Sequence, residues 1–170
     1  FPFTPQQKIK SADAGPFGKK KIVSLTSDTE RGKKRFGVIV RNFEQRVGTS
    51  EFLYKILVKG LAKETNGKVK KEGPLKINGD PGWEFYLDGQ DKGGTGIHIQ
   101  GQIVSRGKNI YTVLIRHVDP QQPKEAGFFF KSFKLTGLAD GDGEGAQAPK
   151  PNDRVGSKEP GTVLWEFETG

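Results

Sequence analysis

Three segments in the middle of the chain, WEFYL (83–87), GIHIQGQIV (96–104) and NIYTVLIRH (109–117), are each rich in β-branched and aromatic residues, and only glycine- or asparagine-containing links separate them. Runs of this length and alternation, punctuated this often, specify an antiparallel meander. KVKKEGPLKI (68–77) precedes them with the same character. Upstream, KIVSLTS (21–27) and RFGVIVRNF (35–43) read as two further strands, joined by DTERGKK with Asp28 and Gly32 as its turn residues. Any fold for this chain must therefore be organised around a sheet.

One segment departs from that pattern. TSEFLYKILVKGLAKETNG (49–67) has Ser50 placed to cap, Glu51 at the positive end of a helix dipole and Gly67 at the stop. Leu53, Ile56, Leu57, Gly60 and Leu61 share one face at helical spacing, which reads as core, with Phe52, Tyr54 and Val58 widening it. A second, shorter helix is expected over Lys124–Ser132, burying Phe129 and Phe133 with Phe128 or Phe130 partly covered, before a last strand near Phe133–Thr136.

The domain boundaries follow from the remaining composition. Residues 1–16, with two prolines before residue 6 and Gly15-Pro16, read as an extended arm whose aromatics Phe1 and Phe3, with Phe17, cover a core edge. Residues 17–136 form one domain, within the usual ~100–200 residues. Residues 137–161 are a glycine-, proline- and acid-rich linker that cannot bury enough surface to offset its ordering. Residues 162–170, with TVLWEF, are an edge strand or the start of an extension.

The stretch INGDPGWEFYLDG (77–89) has the density of a site. Its glycines read better as turn chemistry: Asn78 to Gly82 turns, Pro81 fixes φ, and Gly82 is free to take a positive φ. Trp83, Phe85 and Leu87 then share one strand face while Glu84 and Tyr86 share the other.

Charge is unevenly spread. Residues 1–71 hold 17 Lys and Arg against 6 Asp and Glu, a net +11, whereas the whole chain is +8. The basic cluster Lys33, Lys34, Arg35 sits at a hairpin tip, where it offers an anionic polymer a contact. It is read as a solvated loop, since the glycine spacing and following hydroxyl of a phosphate loop are missing. A basic half can attract nucleic acid, anionic lipid or an acidic polymer, but the lysines are scattered over several elements, so it reads as a solvated surface and nucleic acid is not the expected partner.

The search for chemistry yields one pair. If Gly107 and Lys108 are the two central turn residues of RGKN, paired positions sum to 215 and His98 lies opposite His117. Two adjacent imidazoles could hold a metal with a carboxylate such as Asp119, or form a pH-sensitive pair, but nothing places a third ligand. DGDGEG (140–145) begins like a calcium loop, yet Pro151 stands where the bidentate Glu should be. GGTGIH (93–98) precedes a strand rather than linking strand to helix, so it is a hairpin link and not a nucleotide loop. Zero Cys excludes disulfides and thiol chemistry. No nucleophile elbow is present, so an enzyme is not expected, and neither a metal nor another cofactor is assigned.

The order hairpin, long helix, GDPGWEF, GKNIY and FFFKSF resembles the PsbP-like superfamily over residues 17–136. The resemblance implies an α+β fold with an antiparallel sheet flanked by helices on both faces, an α/β/α sandwich. It also implies a protein-binding or assembly role rather than catalysis, and export, with the targeting segment outside this chain. The expected function is thus a non-catalytic interaction module of the cell envelope or exterior, binding a protein or an acidic polymer through its sheet face or basic hairpin. The alternatives are a metal- or ligand-dependent enzyme using His98 and His117, and a basic nucleic-acid binder. Candidate binding residues are His98, His117, Tyr86, Lys33, Lys34 and Arg35. No transmembrane segment is expected, because no apolar run reaches spanning length.

Overall fold

A computed structural model describes residues 5–13, 19–29 and 32–135. Seven strands form one antiparallel sheet: β1 (Gln6–Asp13), β2 (Lys19–Thr29), β3 (Lys34–Phe43), β4 (Lys68–Ile77), β5 (Asp80–Gln90), β6 (Gly96–Arg106) and β7 (Asn109–His117). Their order across the sheet is β1-β2-β3-β7-β6-β5-β4. Helix α1 (Glu51–Glu64) joins β3 to β4, and α2 (Ala126–Ser132) follows β7.

The α/β/α sandwich is therefore corrected. The sheet dominates, and its helical complement is one segment of 14 residues and one of seven. The reason lies in backbone pairing that extends past each apolar run. β5 and β6 each reach 11 residues because their polar ends stay in the ladder, and residues 6–13 of the segment read as an arm pair with β2 from Gln6↔Thr26 to Asp13↔Lys19. What stands is α+β with an antiparallel sheet.

Two clusters fill the core. α1 brings Tyr54, Val58 and Ala62 against Trp83, Phe85, Leu87, Ile99, Ile103 and Ile110. On the opposite side, Ala126 and Phe129 of α2 and the following Phe133 meet Phe36, Val38, Val104, Tyr111, Val113 and Ile115. Each fully buried aliphatic among them contributes roughly 1.5–3 kcal/mol. β7 serves both clusters, so Ile110 to Ile115 are buried without alternation.

Local chemistry sets the boundaries. Ser50 caps α1 by accepting from the Leu53 amide at 3.1 Å. The buried stripe of α1 is Tyr54-Val58-Ala62, flanked by half-covered Leu53, Leu57 and Leu61. The stripe expected from the sequence is thus rotated, leaving Phe52 74% and Ile56 48% exposed. The rotation follows from Tyr54, whose hydroxyl lies 3.0 Å from Ser105 Oγ and 3.1 Å from the Pro81 carbonyl, which only an inward Tyr54 can reach.

The β4–β5 turn is also tighter than expected. Asn78 (φ 52°) and Gly79 (φ 89°) form a two-residue link, with Ile77 paired to Asp80, as a type I′ hairpin demands. Pro81 and Gly82 already belong to β5, and Gly82 is needed for closeness to the Ile103 carbonyl rather than for a positive φ. In α2, Phe129 is buried and Phe128 is 62% exposed, while Phe133–Leu135 form no strand. Phe1, Phe3, Phe17, the 140–145 segment and TVLWEF lie outside the described residues.

Candidate binding site

The β6–β7 turn falls at Gly107 and Lys108, with Arg106 paired to Asn109, so His98 stands opposite His117 as the sum rule required. On the same sheet face the row continues to Lys34 of β3 and Asp88 of β5. The histidine ring centroids are 5.4 Å apart. Two features read separately from the sequence, the basic tip and the imidazole pair, therefore share one residue row through Lys34.

The two imidazoles sit in different surroundings. His98 Nδ1 is 2.6 Å from Asp88 Oδ1. Burial works against the charged Asp88, but hydrogen bonds from His98 and Lys70 hold its carboxyl below the usual range. His117 is 1% exposed and its Nδ1 lies 2.5 Å from the Asp119 carbonyl. A carbonyl only accepts, so Nδ1 carries the proton and Nε2 is a bare lone pair. That Nε2 is buried without a hydrogen-bond partner among the described residues. Burial pushes the His117 pKa down; the Asp119 carbonyl opposes this, and nearby His98 and Lys34 add to it.

One row further along, the face opens. Tyr86 pairs with Gln100 and Glu84 with Gln102 across β5 and β6. With Lys71 of β4 and Gln122 of the loop after β7 they line an open cleft of about 210 Å³. Gln122 donates to Gln100 Oε1 at 2.8 Å, and Lys71 pairs with Glu84 at 3.2 Å. The Tyr86 ring stacks against His98 with centroids 6.3 Å apart, so the cleft and the histidine row are continuous. Burial first, and Asp88 second, raise the Tyr86 pKa, which keeps its hydroxyl a donor. Behind the cleft, Gly101 lets the Phe85 ring lie against the backbone of β6.

The basic tip is dispersed by the pleat. Arg35 points to the α1 side, where Asp28 clamps it at 2.5 and 2.9 Å. Lys34 points to the cleft side and reaches Glu125 at 3.3 Å, while Lys33 is exposed in the turn. Of the candidates read from the sequence, Tyr86, His98, His117 and Lys34 come together; Lys33 and Arg35 do not join them. Glu84 was placed on the face of Tyr86 without being named a candidate, and Asp88, Gln100, Gln102, Lys71 and Gln122 were missed. Asp88 follows from the alternation of β5 itself, and Gln100 and Gln102 from extending the register across the five-residue Asp91–Thr95 link. Lys71 was hidden by the irregularity between Val69 and Lys71 in the β4–β5 ladder, and Gln122 by its place in a loop.

Chemically, the Asp88–His98 contact has the form of the carboxylate–imidazole pairing that orients a base in hydrolytic sites. No hydroxyl hydrogen-bonds to His98 among the described residues, and none of them form a group of three His, Asp or Glu able to hold a metal. No helix among them is long and apolar enough to cross a membrane.

No known family model and no curated protein matches the chain. Among solved structures it is similar to PA94, a Pseudomonas aeruginosa protein of unknown function, at 12% identity and a TM-score of 0.43, over 76% of this chain and 80% of that one.

Proposed function

We propose that the protein is a non-catalytic binding module that receives a sugar ring in the Tyr86 cleft. The observation behind this reading is the convergence on one open surface of an aromatic ring, three glutamine amides and the Glu84 carboxylate. Amides and carboxylates supply both donors and acceptors to hydroxyl groups, and an aromatic face accepts the apolar side of a ring. At about 210 Å³ the cleft is smaller than the ~300–1,000 Å³ of sites that enclose a whole small molecule, so it suits one unit of a longer chain. Binding to an array of soluble glycans tests this, with Tyr86→Ala and Gln100→Ala expected to weaken the best ligand by roughly tenfold or more. No glycan bound, or binding unchanged in both variants, would overturn it. Release of reducing ends that disappears in His98→Ala would overturn its non-catalytic part.

A metal-dependent reading keeps one supporting observation, the bare Nε2 of His117 beside His98. Titration calorimetry with zinc at neutral pH separates the two: uptake lost in His117→Ala favours the metal, and no heat removes it.

A further inference from the structure

Four arginines project from the sheet, and three are held by aspartates: Arg35 by Asp28, Arg106 by Asp80 and Arg116 by Asp91. Arg41 differs. Its guanidinium donates to Thr112 Oγ1 at 3.0 Å and forms no ion pair among the described residues. Burial is deep enough to pull its pKa down, opposed only by the field of Glu64. A cation withdrawn from water with a carboxylate acting on it only from beyond contact is costly, and a bound anion is one remedy. Arg41 as a whole is half-buried rather than sealed.

The surroundings repeat that preference. Lys10 and Arg41 flank Ile22 in one cross-strand row, and Lys8 and Lys20 lie in the rows on either side, all on the α1 side of the sheet. With strands ~4.8 Å apart, Lys10 and Arg41 are set about 10 Å from each other. Neither Lys8, Lys10 nor Lys20 forms an ion pair among the described residues, and Asp28 on this face is already taken by Arg35. α1 packs chiefly over β4 and β5, reaching β3 at Ile39 and Phe43.

We propose that the α1-side face of β1–β3 is a second binding surface, for an acidic polysaccharide, with Arg41 anchoring one carboxylate or sulfate and the three lysines meeting its neighbours. Cations spread over three strands fit a chain bearing repeated anionic groups. Between these cations lie half-buried Ile22, Ser24 and Thr26, and the one aromatic ring of this face among the described residues, Phe43, is buried, so the described face offers no exposed stacking platform of the kind single-stranded nucleic acid uses.

Affinity for heparin and for polygalacturonate, measured against a single-stranded DNA oligomer of matched charge, decides the matter. The wild type is expected to bind at least one polysaccharide in a salt-sensitive way, and Arg41→Gln to weaken it by about tenfold. A Lys8→Ser, Lys10→Ser, Lys20→Ser triple variant, altered only at exposed or half-exposed strand positions, should weaken it similarly and decides the case if Arg41→Gln does not fold. Lys68→Ser with Lys70→Ser, at the far edge, should leave affinity within about twofold, as should Tyr86→Ala, which separates this surface from the cleft. The proposal fails if no polysaccharide binds at low salt. It fails equally if the triple variant binds normally, if the far-edge variant loses as much, or if DNA binds as tightly.

Discussion

β7 and β1 belong to one sheet and have nothing else in common. Every residue of β7 from Ile110 to Ile115 is buried, whereas every described residue of β1 from Gln6 to Ser11 is exposed. β7 lies between the α1 cluster and the α2 cluster; β1 lies beyond both and is held by its ladder to β2. Backbone hydrogen bonds net only ~0.5–1.5 kcal/mol each, so pairing extends a sheet further than packing stabilises it. The well-packed half carries the stability, and the thin half is free to carry charge.

The sharpest way to break that contrast is Gly101→Val. A side chain there overlaps the Phe85 ring and approaches the Val113 carbonyl in the centre of the packed half. The expected loss is about 3 kcal/mol or more by urea denaturation, partly recovered by adding Phe85→Ala. A loss below about 1 kcal/mol would show that β6 and Phe85 adjust freely, and the contrast would fail.

A smaller effect comes from the buried imidazole. His117 binds its proton less readily in the folded chain than in the unfolded one, so the unfolded state takes up the extra proton. Stability should therefore fall as pH drops below about 6.5 and level off once pH passes the folded value. His117→Gln should flatten the urea midpoint across that window; an unchanged slope would place the titration elsewhere. At the other end of the sheet, Ile9→Ser is expected to shift stability by no more than about 0.5 kcal/mol. A larger loss would mean that β1 is packed after all.

Much of this architecture was legible because local rules agree with the global fold. The Gly107-Lys108 turn fixed the pairing of His98 with His117, and Ser50 marked the start of α1. What was hidden depends on partners distant in sequence. Nothing local says that Tyr54 must turn inward for Ser105, whereas the Asn78-Gly79 turn was in reach, because Asn-Gly is the favoured type I′ pair and the β4–β5 register follows from it. The cleft was half visible: Tyr86, Glu84 on its face and His98 were named, while Gln100, Gln102, Lys71 and Gln122 were not. Arg41 was unremarkable as a sequence letter, because only the absence of an aspartate across the sheet sets it apart from Arg35, Arg106 and Arg116.

All but one of the strand junctions join neighbours in the chain. The exception is β3 with β7, paired from Lys34↔His117 to Asn42↔Asn109 across α1 and the whole β4–β6 meander. Hairpins close short loops, whereas this seam closes the longest one, so the entropic cost of assembling the sheet is concentrated in a single joint. On that account the described sheet consists of two hairpin-built ribbons, and their meeting is the step expected to be slow. Val38 against Val113, at the middle of the seam, is where that meeting is registered.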